Sequence, residues 1–334
     1  MRLSFGFYRA GLIGDNVVAL HGIYALRHLY PTALLVVYTN GFGLNIYGQF
    51  DFIDELVGIE AYSDEALIED IDSRNFDCFI LSQPNRAKCR LLSRTNCKRL
   101  ISLATLATVL SPRFETVFIS RNLSRTPQYK RMLRLVRKVD SKHYDRGIKT
   151  ADFAAIRLKA PGANKASIDE FLSGYKAPSR PLVAINPFVR TASHNLSLPG
   201  YVELVRRLAS LYPGLNFVIP TYKANPDISS DLAGLDSVRV FCNESDLMTV
   251  VALLEASCAL ISPSTSLAHL ANNLGLPMIW FCSKRDSYLW RGDQMDPNLF
   301  VILREPTRGR KAAIEEAYIE SALEKFAYLL PTLC

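Results

Sequence analysis

Long apolar runs are missing from this chain: none approaches the ~20 residues needed to span a bilayer, so no membrane-crossing helix is expected. The N-terminus shows no basic region followed by a cleavable apolar stretch and enters a strand pattern at once, which points to the cytoplasm. The seven cysteines, Cys78, Cys89, Cys97, Cys242, Cys258, Cys282 and Cys334, include no C-x-x-C pair and no histidine at ligand spacing. That excludes the usual signatures of a disulfide framework or a zinc centre and leaves reduced core or surface thiols. The glycines of the first turn, Gly6, Gly11 and Gly14, lack the G-x-G-x-x-G spacing of a dinucleotide-binding dehydrogenase. Internal repeats and low-complexity tracts are absent as well. The pair Asp70 and Asp72 mimics the D-x-D of metal-dependent transferases, but it sits in an acidic helix-like stretch and reads as a solvated face. No metal site and no cofactor are expected.

What is present is a 334-residue chain, 49% hydrophobic, long enough for two cores of about 150 residues each. Strand-like and helix-like segments alternate from the start: 3–8, then 15–29 closed by Pro31, then 34–38, and later 76–81. A second series begins with a strand at 181–186 and continues with a helix at 199–211, a strand at 216–220, a helix at 245–256 and a strand at 258–261. Such alternation predicts βαβ units and parallel sheets. Pro161, Gly162, Gly174 and Pro178 punctuate the stretch between the series, so the predicted division is a domain at 1–160, a linker at 161–180 and a domain at 181–334. The segment 310–330 is expected to be an amphipathic helix, packing back on the N-terminal domain.

Two strand-turn-helix junctions carry the candidate chemistry. In the first, Gly11 and Gly14 are expected in tight-turn conformations with Asp15 at the helix start, either as a plain N-cap or as a carboxylate presented at the carboxyl edge of the sheet. That edge is where ligands bind in open α/β sheets. In the second, Ser264, Thr265 and Ser266 follow an apolar strand and precede a helix, so first-turn amides and hydroxyls are suited to phosphate oxygens. His269 lies four residues beyond Thr265 on the same helical face, as a phosphate contact or as a structural histidine. A third loop, with Arg190, His194 and Asn195, also lies at a carboxyl edge.

The formal charge of +7 and a pI near 9.0 favour a partner rich in phosphate or carboxylate. Basic residues dominate 113–149, where Met132, Leu135, Val136 and Val139 share one helical stripe and Lys130, Arg134 and Arg137 another. This is either a solvated surface helix or a face for anionic lipid headgroups or an anionic acceptor.

In these residues the chain resembles glycosyltransferase family 9, the heptosyltransferases of the lipopolysaccharide inner core in Gram-negative bacteria. The resemblance covers most of the chain in order: the opening strand with Gly14, Asp15 and Pro31, the strand and loop at 76–86 ending in Asn85 and Arg86, and the segment from Ser264 through His269 to Gly275 and Pro277. It implies a GT-B architecture, two Rossmann-like parallel-sheet domains facing across a cleft. The N-terminal domain would bind an anionic glycolipid acceptor at the inner face of the cytoplasmic membrane, and the C-terminal domain a nucleotide sugar. It further implies an inverting, metal-independent transfer from ADP-heptose, with Asp15 as general base. Arg190, His194, Asn195, Ser264, Thr265, Ser266 and His269 would hold the donor; Gly14, Asn85, Arg86, Arg121, Arg125, Lys130 and Arg134 would meet the acceptor.

Two departures from the family pattern bear on the donor. Ser264, Thr265 and Ser266 stand where the family has Asp-Thr-Gly, and the 192–197 loop lacks the family's lysine, for which Arg190 or His194 would substitute. A UDP-N-acetylhexosamine donor is therefore the alternative within the class. A catalytically silent sugar-nucleotide-binding protein is the alternative outside it. A nucleic-acid partner rests on charge alone and lacks interleaved aromatic and basic residues.

Overall fold

The computed structural model describes residues 2–119, 125–190, 192–244 and 246–333. The chain divides into two compact units, Met1–Arg157 and Leu158–Cys334.

In the N-terminal unit six strands form one parallel sheet: β1 (Ser4–Tyr8), β2 (Leu34–Thr39), β3 (Glu55–Gly58), β4 (Cys78–Leu81), β5 (Leu100–Leu103) and β6 (Phe114–Val117), in the order β3-β2-β1-β4-β5-β6. All five residues of β1 and all four of β4 are buried, as expected of strands covered by helices on both faces. The connecting helices are α1 (Ile13–Leu29), α2 (Gly41–Tyr47), α3 (Asp64–Ser73), α4 (Arg86–Ser93) and α5 (Leu106–Val109), followed by α6 (Gln128–Val139) and α7 (Ser141–Gly147). Helix α1 is apolar on nearly every side because it lies between the sheet, α2 and α6. Met132, Leu135 and Val136 of α6 are buried, so the stripe read from the sequence does face the core; its fourth member, Val139, is half-buried.

The C-terminal unit repeats the plan with β7 (Leu182–Ile185), β8 (Asn216–Thr221), β9 (Val238–Cys242), β10 (Ala259–Pro263), β11 (Met278–Ser283) and β12 (Phe300–Leu303), all parallel, in the order β12-β11-β10-β7-β8-β9. Its helices are α8 (Gly162–Ser173), α9 (Leu198–Leu211), α10 (Leu247–Glu255), α11 (Ser266–Leu274), α12 (Asp286–Leu289) and α13 (Ala312–Leu329). Gly275 closes α11 in the left-handed region, φ 73°, with the Leu276 amide returning to the Ala271 carbonyl.

Several sequence expectations change here. The segment 161–180, expected as a linker, is mostly α8, which packs on α10 inside the C-terminal unit; Ile168 is its buried anchor. The amphipathic helix expected at 310–330 forms as α13, which packs on α9, β11 and β12 and buries Ile319, Ala322 and Phe326. Asp70 and Asp72 are structural anchors more than a solvated face. Asp70 accepts the Tyr38 hydroxyl at 2.7 Å and the Arg74 guanidinium, and Asp72 accepts the Asn96 backbone amide at 2.6 Å. Among the described residues no helix is long and apolar enough to cross a membrane.

Candidate functional site

Both sheets reverse their strand order at one place, between β1 and β4 in the first and between β7 and β10 in the second. At such a point the two neighbouring loops leave in opposite directions and open a crevice at the carboxyl edge, where ligands bind.

At the first crevice Asp15 is the third residue of α1, not its cap; Leu12 occupies the cap position and its own side chain makes no capping bond. The Leu12 amide donates to Asp15 Oδ2 at 3.2 Å, and Arg9 Nη2 donates to Oδ1 at 2.6 Å. Arg9 is almost fully buried at the end of β1 and also donates from Nε to the Asp15 carbonyl at 3.0 Å. Burial pulls the Arg9 pKa below its ordinary value and the Asp15 charge opposes that pull. The Asp15 side chain retains 17% exposure, so its carboxylate has acceptor capacity left for a ligand.

Gly11 is required for a reason different from the one expected. Neither Gly11 nor Gly14 has positive φ; a Cβ on Gly11 would stand 2.7 Å from the Asp15 Cβ, so the turn has room for glycine only, and Gly14 is simply buried in α1. The Gly11 carbonyl accepts Asn40 Nδ2 at 2.8 Å and Asn16 Nδ2 at 3.1 Å, while the Tyr47 hydroxyl donates to Asn16. Fully buried Asn16 thereby fixes the loop on which Asp15 is presented.

Lys88, on the first turn of α4 after β4, completes this crevice. Its Nζ lies 3.5 Å from the Ala10 carbonyl and 5.1 Å from the centre of the Tyr8 ring. Burial lowers the lysine pKa, neighbouring Arg9 lowers it further, and Asp15 partly offsets both. Burial beside Asp64 pushes the Tyr8 hydroxyl up to about 12. Arg9, Asn16, Asn40 and Lys88 were not singled out from the sequence. An arginine ending an otherwise apolar strand was the available signal for Arg9; nothing local marks Lys88.

The expected acceptor residues fall on three elements: Gly14 adjoins Asp15 in α1, Asn85 and Arg86 open α4, and Lys130 and Arg134 belong to α6. Asn85 caps α4, accepting the Lys88 amide at 2.8 Å, and Arg86 is exposed beside it. Lys130 and Arg134 lie on α6, which packs beside the later turns of α1: the Tyr129 and His21 rings are 5.1 Å apart and Met132 abuts Gly22. His21 is six residues beyond Asp15, about 9 Å along the helix, so this contact lies well down α1 from the switch point. Arg125 is exposed just before α6, and Arg121 lies outside the described residues.

At the second crevice the groups that tie the strand exits together are neutral. Asn186 at the end of β7 donates from Nδ2 to Thr265 Oγ1 at 3.0 Å and to Ser262 Oγ at 3.2 Å, tying the exits of β7 and β10 together. Thr265 is the cap residue of α11, yet its hydroxyl turns to Asn186 and Ser262 and no side chain caps that helix. The first-turn amides of α11 therefore open onto the crevice, the arrangement that binds anions at helix N-termini. Ser264 and Ser266 stand half-buried on either side of Thr265.

Three other expected donor residues are placed differently from one another. Arg190 is exposed, and half-buried His194 has Nδ1 3.0 Å from the Ser193 hydroxyl. Asn195, expected at the phosphates, is buried with Oδ1 accepting the Tyr201 hydroxyl at 2.7 Å, and its backbone is clasped by Thr307 and Arg310. Its side chain is committed to the core of the unit. His269 is also buried, its ring edge-on to Trp290 at 5.4 Å. Among the described residues no three His, Cys, Asp or Glu side chains cluster as metal ligands would.

Two Rossmann-like units in series, each with a 3-2-1-4-5-6 sheet, constitute a fold of the GT-B class. Among solved structures the chain is similar to a family 9 glycosyl transferase from Veillonella parvula, with a TM-score of 0.76, 12% identity, and 98% of each chain covered. It is also similar to the E. coli ADP-heptose lps heptosyltransferase II, with a TM-score of 0.73, 14% identity and 99% of each chain covered. A third, E. coli heptosyltransferase WaaC with ADP, matches with a TM-score of 0.64 and 16% identity over 96% of this chain and 100% of the other. No family model and no curated protein matches the chain.

Proposed function

We propose that this protein is a family 9 type glycosyltransferase that moves a sugar from a nucleotide donor to an acceptor hydroxyl with inversion. The observation that carries this reading is the Asp15 carboxylate at the β1/β4 switch point, oriented through one oxygen by buried Arg9 and still partly exposed. In the proposed reaction the acceptor oxygen attacks the anomeric carbon and its proton passes to Asp15. The bond from that carbon to the diphosphate oxygen breaks, and the nucleoside diphosphate leaves. The uncapped first turn of α11, with Ser264, Thr265 and Ser266, and the side chains of Arg190 and His194 would stabilise the departing diphosphate without a metal. The N-terminal unit then serves the acceptor and the C-terminal unit the donor.

ADP-heptose is the proposed donor and the lipopolysaccharide inner core the proposed acceptor, reached by a protein that works at the inner face of the cytoplasmic membrane. Support comes from the resemblance in sequence order and from fold neighbours whose names specify ADP and ADP-heptose. The loop at 192–197 has no lysine and Ser264 replaces an acid of the family pattern, which keeps a UDP-sugar as the competing donor.

Calorimetric titration with ADP, UDP and GDP in parallel, without added metal, tests the reading. Selective ADP binding is expected; selective UDP binding would move the assignment to the competing donor, and no binding to any would overturn it. In a transfer assay Asp15→Asn is expected to lower turnover about 10²- to 10⁴-fold with nucleotide affinity unchanged. An active variant would remove Asp15 as the base.

A further inference from the structure

Positive charge is concentrated in one stretch of this chain. Residues 81–139 hold 14 lysines and arginines against a single acid, Glu115, while the remainder holds 25 basic and 31 acidic residues. The surplus therefore belongs to this stretch alone. Ion pairs engage Arg94, Lys98, Arg99, Arg137 and Lys138. Arg86, Lys88, Arg90, Arg113, Lys130 and Arg134 have no carboxylate partner among the described residues.

Within the same stretch α5 is built inside out. Thr108 is fully buried, donating its hydroxyl to the Leu103 carbonyl at 3.0 Å, and Thr105 caps the turn. The apolar side chains point the other way: Leu106 is 78% exposed, Val109 48% and Leu110 74%. Phe118, 64% exposed, leaves the sheet beside them, because the Ala104 amide donates to the Val117 carbonyl and prolongs the β5–β6 ladder to that level. Among the described residues no other large hydrophobic is as exposed as Leu106 and Leu110. Helix α4, which carries Arg86 and Arg90, packs against α5. A small apolar knuckle is thus held outward, next to cations, at the β6 edge of the sheet.

We infer that this knuckle docks on a bilayer containing anionic phospholipids, with Leu106, Leu110 and Phe118 entering the headgroup boundary and the flanking cations meeting lipid phosphates. A second copy of the chain would bring like charges together, whereas an anionic bilayer supplies an apolar layer and phosphates in one surface. The inference sharpens the membrane part of the proposed function by naming the surface, and its test reads membrane binding without reference to sugar transfer.

The full chain is sedimented with vesicles of phosphatidylcholine, with and without phosphatidylglycerol. Binding is expected only when phosphatidylglycerol is present and should weaken with added salt. The triple variant Leu106→Ser, Leu110→Ser, Phe118→Ser should bind at least about tenfold more weakly. A control, Leu211→Ser with Tyr328→Ser, removes exposed apolar groups of the C-terminal unit and should bind as the parent does. Thermal unfolding and nucleotide titration of each variant separate a folding or donor-binding defect from a docking defect. A parent that does not bind, a folded triple variant that binds equally well, or a parent dimer that the triple variant abolishes would each overturn the inference.

Discussion

At the exits of β1 and β4 the N-terminal unit gathers charge, with buried Arg9 against Asp15 and half-buried Lys88 beside them; at the exits of β7 and β10 the C-terminal unit gathers hydroxyls and amides, Asn186, Ser262 and Thr265. The strand order is the same, and on both α1 and α11, the helices that open the two crevices, the residue in the cap position makes no side-chain capping bond. The same backbone solution has therefore been furnished for two purposes. A charged group held by a buried partner suits proton transfer, which needs a defined position and a site to receive the proton. Uncapped amides around a neutral lattice suit an anion that brings its own charge.

The comparison breaks most visibly if Arg9 is not what holds Asp15. Arg9→Met removes one partner of a largely buried pair and is expected to cost about 2–4 kcal/mol in a urea denaturation series. A loss within experimental error would mean that Asp15 is positioned by the Leu12 amide and the turn alone. Next in size, Gly11→Ala places a methyl against Asp15 and should lower turnover by about ten- to a hundredfold in the transfer assay while nucleotide titrations stay unchanged. Full activity would show that the carboxylate has freedom that this crevice does not suggest.

On the other side, Asn186→Ala unties the exits of β7 and β10 at a cost of about 1–2 kcal/mol and should weaken nucleotide binding by up to roughly tenfold. Unaltered nucleotide affinity would separate the lattice from the donor site. The smallest effect concerns acid. Hydrogen bonds from Lys98 to Asp77 and from Arg99 to Glu115 hold both carboxyls below their ordinary pKa, so their stabilisation is present above the usual carboxylate range and is lost as pH falls through the lowered values. In the C-terminal unit the Asp227 carboxyl, lowered by the Ser229 amide, is a fully exposed group. Hydrogen exchange followed from pH 5 toward pH 2 should show the N-terminal unit loosening first, and Lys98→Met should shrink the difference. Equal acid sensitivity of the two units would remove this contrast.

Legibility in the sequence followed the range of the interaction. Apolar periodicity placed strands at 3–8, 34–38 and 216–220 and helices at 15–29 and 199–211 close to where they form, because these depend on neighbours a few residues away. Six strands were not read out: β3, β6 and β9 are short and mostly half-buried, whereas β5, β11 and β12 are buried runs that no alternation marks. The linker reading failed because Gly162 and Pro161 punctuate a helix start as readily as a loop. Among site residues, Asp15 and Thr265 stood at recognisable strand exits, whereas Asn195 looked like a loop polar group and is in fact held by Tyr201 and Arg310.

By itself the sequence determined that the chain forms two α/β units, that turns with small or polar residues follow β1 and β10, and that one basic stretch carries the surplus charge; each of these depends on local pattern or composition. Tertiary structure decided which turns share a crevice, that Lys88 joins Arg9 and Asp15, that Asn186 reaches Thr265, and that α5 shows its leucines to the outside. Those outcomes depend on strand neighbours far apart along the chain and on which polar groups find buried partners, and no local periodicity encodes either.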